Sequence, residues 1–138
     1  MTPYTTKAHI ARATMEATCF QTRAILNAME TDSGHKLERI AVDGGLSNSD
    51  VCMQAQADIA RIPVDRPAMR ETTALGAAVA AGLAVGVWDE LEDLDGVNSV
   101  GRRVFTPKMD EKKAEAMFAK WNQAVEMSRG WVKEGDKE

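Results

Sequence analysis

Two adjacent glycines followed by a cluster of small polar side chains form the stretch of this sequence best suited to chemistry. In Ile40-Ala-Val-Asp-Gly-Gly-Leu-Ser-Asn-Ser49, Gly44 and Gly45 carry no Cβ, so the backbone there can take a positive φ or come close to another molecule. Ile40 and Val42 are β-branched and favour a buried strand ahead of the turn. Ser47, Asn48 and Ser49 offer oxygens suited to capping a helix that follows. Such a helix start presents unpaired N–H groups and a partial positive charge, worth roughly 0.3–1 kcal/mol to an anion at an exposed site. The pattern suits a phosphate-bearing ligand. It equally suits a plain tight turn of the sort many α/β proteins contain, and the local residues leave both readings open.

Other chemistry-bearing residues are more scattered. Cys19 and Cys52 have no metal-ligand spacing and follow no secretory signal, so they read as free, buried thiols rather than a disulfide or a nucleophile. His9 and His35 lie far apart without a paired ligand and suit surface or capping roles. The acidic run Asp89-Glu-Leu-Glu-Asp-Leu-Asp-Gly96 lacks the glycine-centred pattern of a calcium loop and reads as a short solvated helix or turn.

The elements that must position the glycine turn follow from periodicity. A helix capped at Thr5 or Thr6 runs to about Thr31, with Ile10, Ala13, Ala17, Phe20, Ala24 and Ala28 along one face and Gly34 as its stop. A second helix from about Asp50 to Ala60 carries Cys52, Ala55 and Ile59 on one side. Arg61 to Pro67 is extended, and its prolines predict an edge or short strand rather than a central one. The apolar run from Ala74 to Trp88 is shorter than the about 20 residues of a membrane span and predicts a buried helix capped by Thr72 or Thr73. Gly76 and Gly82 within it would admit a neighbouring backbone. Ser99 to Pro107 reads as linker or edge strand. The last helix starts near Asp110, with Ala114, Met117, Phe118, Trp121, Ala124, Val125, Trp131 and Val132 forming a core stripe before a fraying tail at 133–138. The two strands read within this order are too few to make a stable sheet alone.

Composition is ordinary for a soluble globular protein, 138 residues, 44% hydrophobic and 28% charged, and the order of helices and strands reads as α/β. Seventeen Lys and Arg stand against 21 Asp and Glu, giving a net charge of −4, which argues against nucleic acid or an anionic membrane as a partner. The start Met1-Thr-Pro-Tyr-Thr-Thr shows no export signal, so a cytoplasmic location is expected.

Several of these stretches, taken together and in order, carry a resemblance. His9-Ile-Ala-Arg-Ala-Thr-Met-Glu16 with Gln21-Thr22, Val42-Asp-Gly-Gly45, Met53-Gln-x-Gln-Ala-Asp58 and Glu71-Thr-Thr-Ala-Leu-Gly-Ala-Ala78 resemble the C-terminal part of the FGGY carbohydrate kinases, within the actin-like ATPase superfamily. The Met53–Asp58 and Glu71–Ala78 stretches are similar to the glycerol kinases among them, more than to kinases of xylulose, gluconate or ribulose. The resemblance runs from about His9 through Trp131.

It implies a partial ribonuclease-H-like domain, helix-rich with a few strands. Residues 1–132 would form the later half of the kinases' C-terminal nucleotide-binding domain, whose first strands would precede His9. It also implies ATP or ADP bound in a cleft, with the Gly44-Gly45 turn against the nucleotide. The polar side chain four positions after Gly45 is often Asn in the family; here it is Ser49, with Asn48 just before it, so either could make that contact. The general base for the glycerol hydroxyl, the phosphate loops and the Mg²⁺ ligands belong to family segments outside this sequence. The chain alone is therefore expected to be inactive, to expose an apolar sheet edge and helix faces and so self-associate or be marginally stable, and to work within a full-length homo-oligomer. The alternatives are a non-catalytic actin-like interaction module or a fragment of another FGGY sugar kinase. A dinucleotide-binding unit is disfavoured because Gly-x-Gly-x-x-Gly is absent.

Overall fold

A computed structural model describes residues 1–94 and 96–130. Trp131, Val132 and the tail at 133–138 lie outside the described residues. The long first helix, α1 (Lys7–Ser33), begins where Thr6 takes an extended backbone and its N–H donates to His9 Nδ1 at 3.1 Å, so that histidine does the work a glutamate performs in a capping box. It ends at Gly34, whose φ of 69° places it in the left-handed region and whose N–H donates to the Glu30 carbonyl at 2.9 Å. Its buried face differs from the one periodicity predicts. Cys19, Phe20 and Arg23 are buried, while Ile10 is 53% exposed and Ala13 and Ala28 face solvent. α2 packs along α1, and α4 reaches it through Phe20–Trp121 and Arg23–Phe118, so the residues that face those two helices are the ones covered.

Strand β1 (Ile40–Ala41) leads through a 3-10 turn (Gly45–Asn48) into α2 (Asp50–Ala60), and the chain returns as β2 (Val64–Arg66). β1 and β2 pair in parallel, Ile40 opposite Val64 and Ala41 opposite Asp65. The helix α3 (Thr72–Ala84) follows, then a 3-10 turn at Leu91–Leu94, strand β3 (Arg103–Phe105) and helix α4 (Glu111–Met127), capped by Asp110. β3 runs antiparallel to β2, so the sheet order is β1-β2-β3.

Five expectations change here. β2 is the central strand and fully buried, not an edge, because Pro63 and Pro67 stand just outside the paired residues and remove no ladder donor from them. β1 is the edge instead: Ile40 is half-buried and Ala41 exposed, so it is not the buried strand its composition suggests. The apolar helix α3 is mostly exposed, with only Gly82 buried and Leu75, Val79 and Leu83 half-buried. Its cap is Glu71 rather than Thr72 or Thr73, and Thr72 instead donates to the Asp43 carboxylate. Gly82 meets a side chain, not a backbone: the Trp88 ring occupies the space a Cβ would need. Nothing lies within 4 Å of that point at Gly76.

The core sits between α1, α2, β2 and β3. Cys19, Phe20, Cys52, Met53, Ala57, Ile59, Val64 and Phe105 are buried together, and Met117, Phe118 and Trp121 of α4 pack against them. Phe20 stacks on Trp121 with centroids 5.6 Å apart, a pairing worth about 0.5–1.5 kcal/mol beyond its buried area. Cys19 and Cys52 are the free, buried thiols expected. No described helix is long and apolar enough to cross a membrane.

Candidate functional site

The chain leaves β1 at Val42, whose N–H donates to the Asp65 carbonyl at 3.1 Å, and turns at Gly44. Gly44 has φ 76° and ψ −179°, a conformation that an L side chain rarely adopts, so this glycine is required by the backbone. Its carbonyl accepts from the Ser47 amide at 3.1 Å and from the Ser47 hydroxyl at 2.6 Å, closing the turn on itself. Gly45 has no such constraint, and a Cβ built on either glycine meets nothing within 4 Å. Gly45, Asn48 and Ser49 are exposed and Gly44 is half-buried. The turn is therefore an open surface, not an interior packing device.

Ser49 caps α2, its hydroxyl accepting from the Cys52 amide at 3.3 Å. The hydroxyl hydrogen has no acceptor among the described hydrogen bonds and can still donate. The Asn48 side-chain oxygen accepts from the Arg70 guanidinium. All four sequence-predicted residues, Gly44, Gly45, Asn48 and Ser49, thus lie on one short surface at the N-terminus of α2.

What holds this surface in place was not visible in the local pattern. The Gly44 amide donates to the Arg70 carbonyl at 3.1 Å, and Arg66 Nη1 donates to the Ser47 carbonyl at 2.8 Å. Arg66 Nη2 pairs with Asp50 at 2.8 Å, and Arg103 meets the other oxygen of the same carboxylate. These arginines, Arg66 first, hold the Asp50 carboxyl below its usual range. Arg66 lies in the Arg61–Pro67 segment whose prolines predict an edge or short strand, and Arg70 beyond it, so neither carries a local signal for the turn.

Two concavities flank the turn. One of about 160 Å³ lies between Thr18 and Thr22 of α1 and Asp43, Leu46, Ser47 and Cys52. The other, of about 380 Å³, lies across β1 between Asp43, Thr72, Leu75 and Arg102. Asp43 lines both. A wider apolar groove of about 770 Å³ between α1, α2 and β3 does not include the glycines in its lining. Among the described residues, no group of three or more His, Cys, Asp or Glu is placed to hold a metal ion.

A parallel strand pair joined through an open glycine turn and a capped helix is the arrangement of α/β proteins that present main-chain amides to an anion. Residues 1–85 match the family model for the C-terminal domain of the FGGY family of carbohydrate kinases, and the chain belongs to that family. Over 134 residues it is 52% identical to the glycerol kinase of Methylorubrum populi, covering 97% of this chain and 26% of that protein. The glycerol kinase of Dechloromonas aromatica is 50% identical over 96% of this chain and 26% of its own length. The crystal structure of Plasmodium falciparum glycerol kinase with ADP superposes with a TM-score of 0.81 at 35% identity, over 96% of this chain and 26% of that one. The xylulose kinase of Rhodospirillum rubrum gives 0.66 at 26% identity, over 92% of this chain and 26% of that one. The chain thus spans about a quarter of the length of the curated relatives it matches. Its fold is part of the actin-like ATPase fold of these kinases.

Proposed function

We propose that this chain is the nucleotide-binding part of an ATP-dependent glycerol kinase, which transfers the γ-phosphate of ATP to glycerol and gives glycerol 3-phosphate. Residues 1–132 act as the later half of its C-terminal domain, with 133–138 a tail. The observation that carries the reading is the open Gly44–Gly45 turn at the start of α2, in a chain similar to a glycerol kinase whose structure was determined with ADP. The two glycines let the nucleotide lie against the backbone, the α2 N-terminus favours its negative charge, and the Ser49 hydroxyl donates to it. Asn48, already engaged by Arg70, serves to hold the turn.

Phosphoryl transfer depends on positioning and on charge stabilisation around the γ-phosphate. The general base, the β- and γ-phosphate loops, the glycerol site and the Mg²⁺ ligands are assigned to parts of the kinase outside this chain. The chain alone then binds ADP weakly and makes no glycerol 3-phosphate. The compartment we propose is the cytoplasm, and the full-length enzyme is proposed to be a homo-oligomer.

Gly45→Val tests the assignment. Because a Cβ at Gly45 meets nothing within 4 Å, the substitution should leave the free protein folded and add its bulk to the open face of the turn. In calorimetric titration with ADP the variant should bind at least about tenfold more weakly, some 1.4 kcal/mol. Equal affinity in a folded variant would remove the turn from the site. In the full-length kinase the same change should raise KM for ATP far more than KM for glycerol.

A further inference from the structure

Arg66 is a buried cation, 6% exposed, on the central strand of the sheet, and its guanidinium divides its contacts between the sheet and the glycine turn. One face lies over the Phe105 ring, 5.0 Å from its centroid. The two terminal nitrogens reach the turn and the start of α2, Nη1 to the Ser47 carbonyl and Nη2 to the Asp50 carboxylate, each at 2.8 Å. Ser47 and Asp50 lie on either side of Asn48 and Ser49, in the segment that begins at Gly44. We propose that Arg66 is a positioning residue for the nucleotide: its fork between the Ser47 carbonyl and Asp50 fixes the Gly44–Ser49 surface to β2 before the ligand arrives. This rests on reading that surface as the nucleotide site.

The physical reason lies in the glycines. Two in succession give the free turn more conformations to lose than any other pair of residues, and that loss weakens binding unless the fold has already ordered the turn. Within the turn, the hydrogen bonds from Ser47 to Gly44 are local and close only a small loop. The Arg66 bond crosses 19 positions and ties the loop to a strand paired on both sides. A planar fork can stack on Phe105 and still donate to two acceptors, whereas a lysine ammonium is a point charge that does not reproduce this geometry.

The test compares Arg66→Lys with Arg61→Lys in the 138-residue chain. Arg61 also donates to a main-chain carbonyl, that of Met109 at 2.7 Å, but stands at the far end of α2. Both variants should lower the melting temperature by similar small amounts. ADP affinity should fall about five- to tenfold in Arg66→Lys, in line with a lost hydrogen bond to an ordered acceptor, and stay within about twofold in Arg61→Lys. A folded Arg66→Lys that binds ADP like the unsubstituted chain overturns the positioning role alone. No ADP binding by the unsubstituted chain overturns the functional reading and this role with it. Should Arg66→Lys fail to fold, hydrogen exchange of the Arg66 guanidinium in the unsubstituted chain decides the role. Coupling is reciprocal, so ADP must tighten the Arg66 anchor as much as the anchor favours ADP. Saturating ADP should slow hydrogen exchange of the Arg66 guanidinium and not that of Arg61, and unchanged Arg66 exchange overturns the proposal.

Discussion

At the level of single residues, the two glycines of the turn do different work. Gly44 is demanded by its own backbone, so Gly44→Val should destabilise the fold by roughly 1–3 kcal/mol whether or not a ligand is present. Gly45→Val should leave the melting temperature close to that of the unsubstituted chain and act on nucleotide alone. Thermal unfolding of the two variants checks the contrast; equal destabilisation would mean that Gly45 too is structural. The thiols make a second residue-scale prediction. Burial, and next the neighbouring Cys52, push Cys19 up from 9.0 to about 12. The unfolded thiol ionises first, so the folded state binds more protons between those values and stability must fall as pH rises from about 9 toward 12. Melting curves across that range read it directly, and a flat profile would contradict it. At neutral pH Cys19, 1% exposed, should resist alkylation until the chain unfolds. The candidate ligand residues were legible in the sequence because glycine pairs and capping side chains are local signals. Arg66 and Arg70 were not, since a partner 19 or 22 positions away leaves no local periodicity.

For whole elements, the same distinction explains what matched and what did not. The bounds of α1, α2 and α4 follow from Thr6, Gly34, Ser49 and Asp110, caps whose chemistry acts within a few residues. The rank of β2 in the sheet is set by partners on both sides, and prolines placed just beyond its paired residues misled the local reading. The apolar run of α3 was read as buried because composition reports what a helix can bury, not whether a covering element is present. Where α3 ends, Trp88 lies against Gly82 closely enough that a methyl group would displace it. Gly82→Ala should therefore shift Trp88 emission to the red while far-ultraviolet dichroism stays constant, since alanine favours the helix by about 1 kcal/mol over glycine. An unshifted spectrum would show that the ring does not rest there.

Across the whole molecule, an edge strand with Ile40 half-covered and a largely exposed apolar helix give the chain surfaces suited to covering by other polypeptide. Light scattering should show self-association that grows with concentration in the micromolar range, and a lysine introduced at Ala77 or Ala81 on the exposed side of α3 should reduce it. A monomer with a sharp thermal transition would contradict that expectation. Family membership and the actin-like fold stand independently of it. The central claim concerns the turn, and the amide spectrum of the isotope-labelled chain during titration with ADP tests it most directly. Nucleotide seated on the turn gives progressive shifts at Gly44, Gly45 and Ser49 and leaves the amides of α4 unmoved. Saturable shifts confined to the groove between α1 and β3, or none at any ADP concentration in a folded chain, would contradict it.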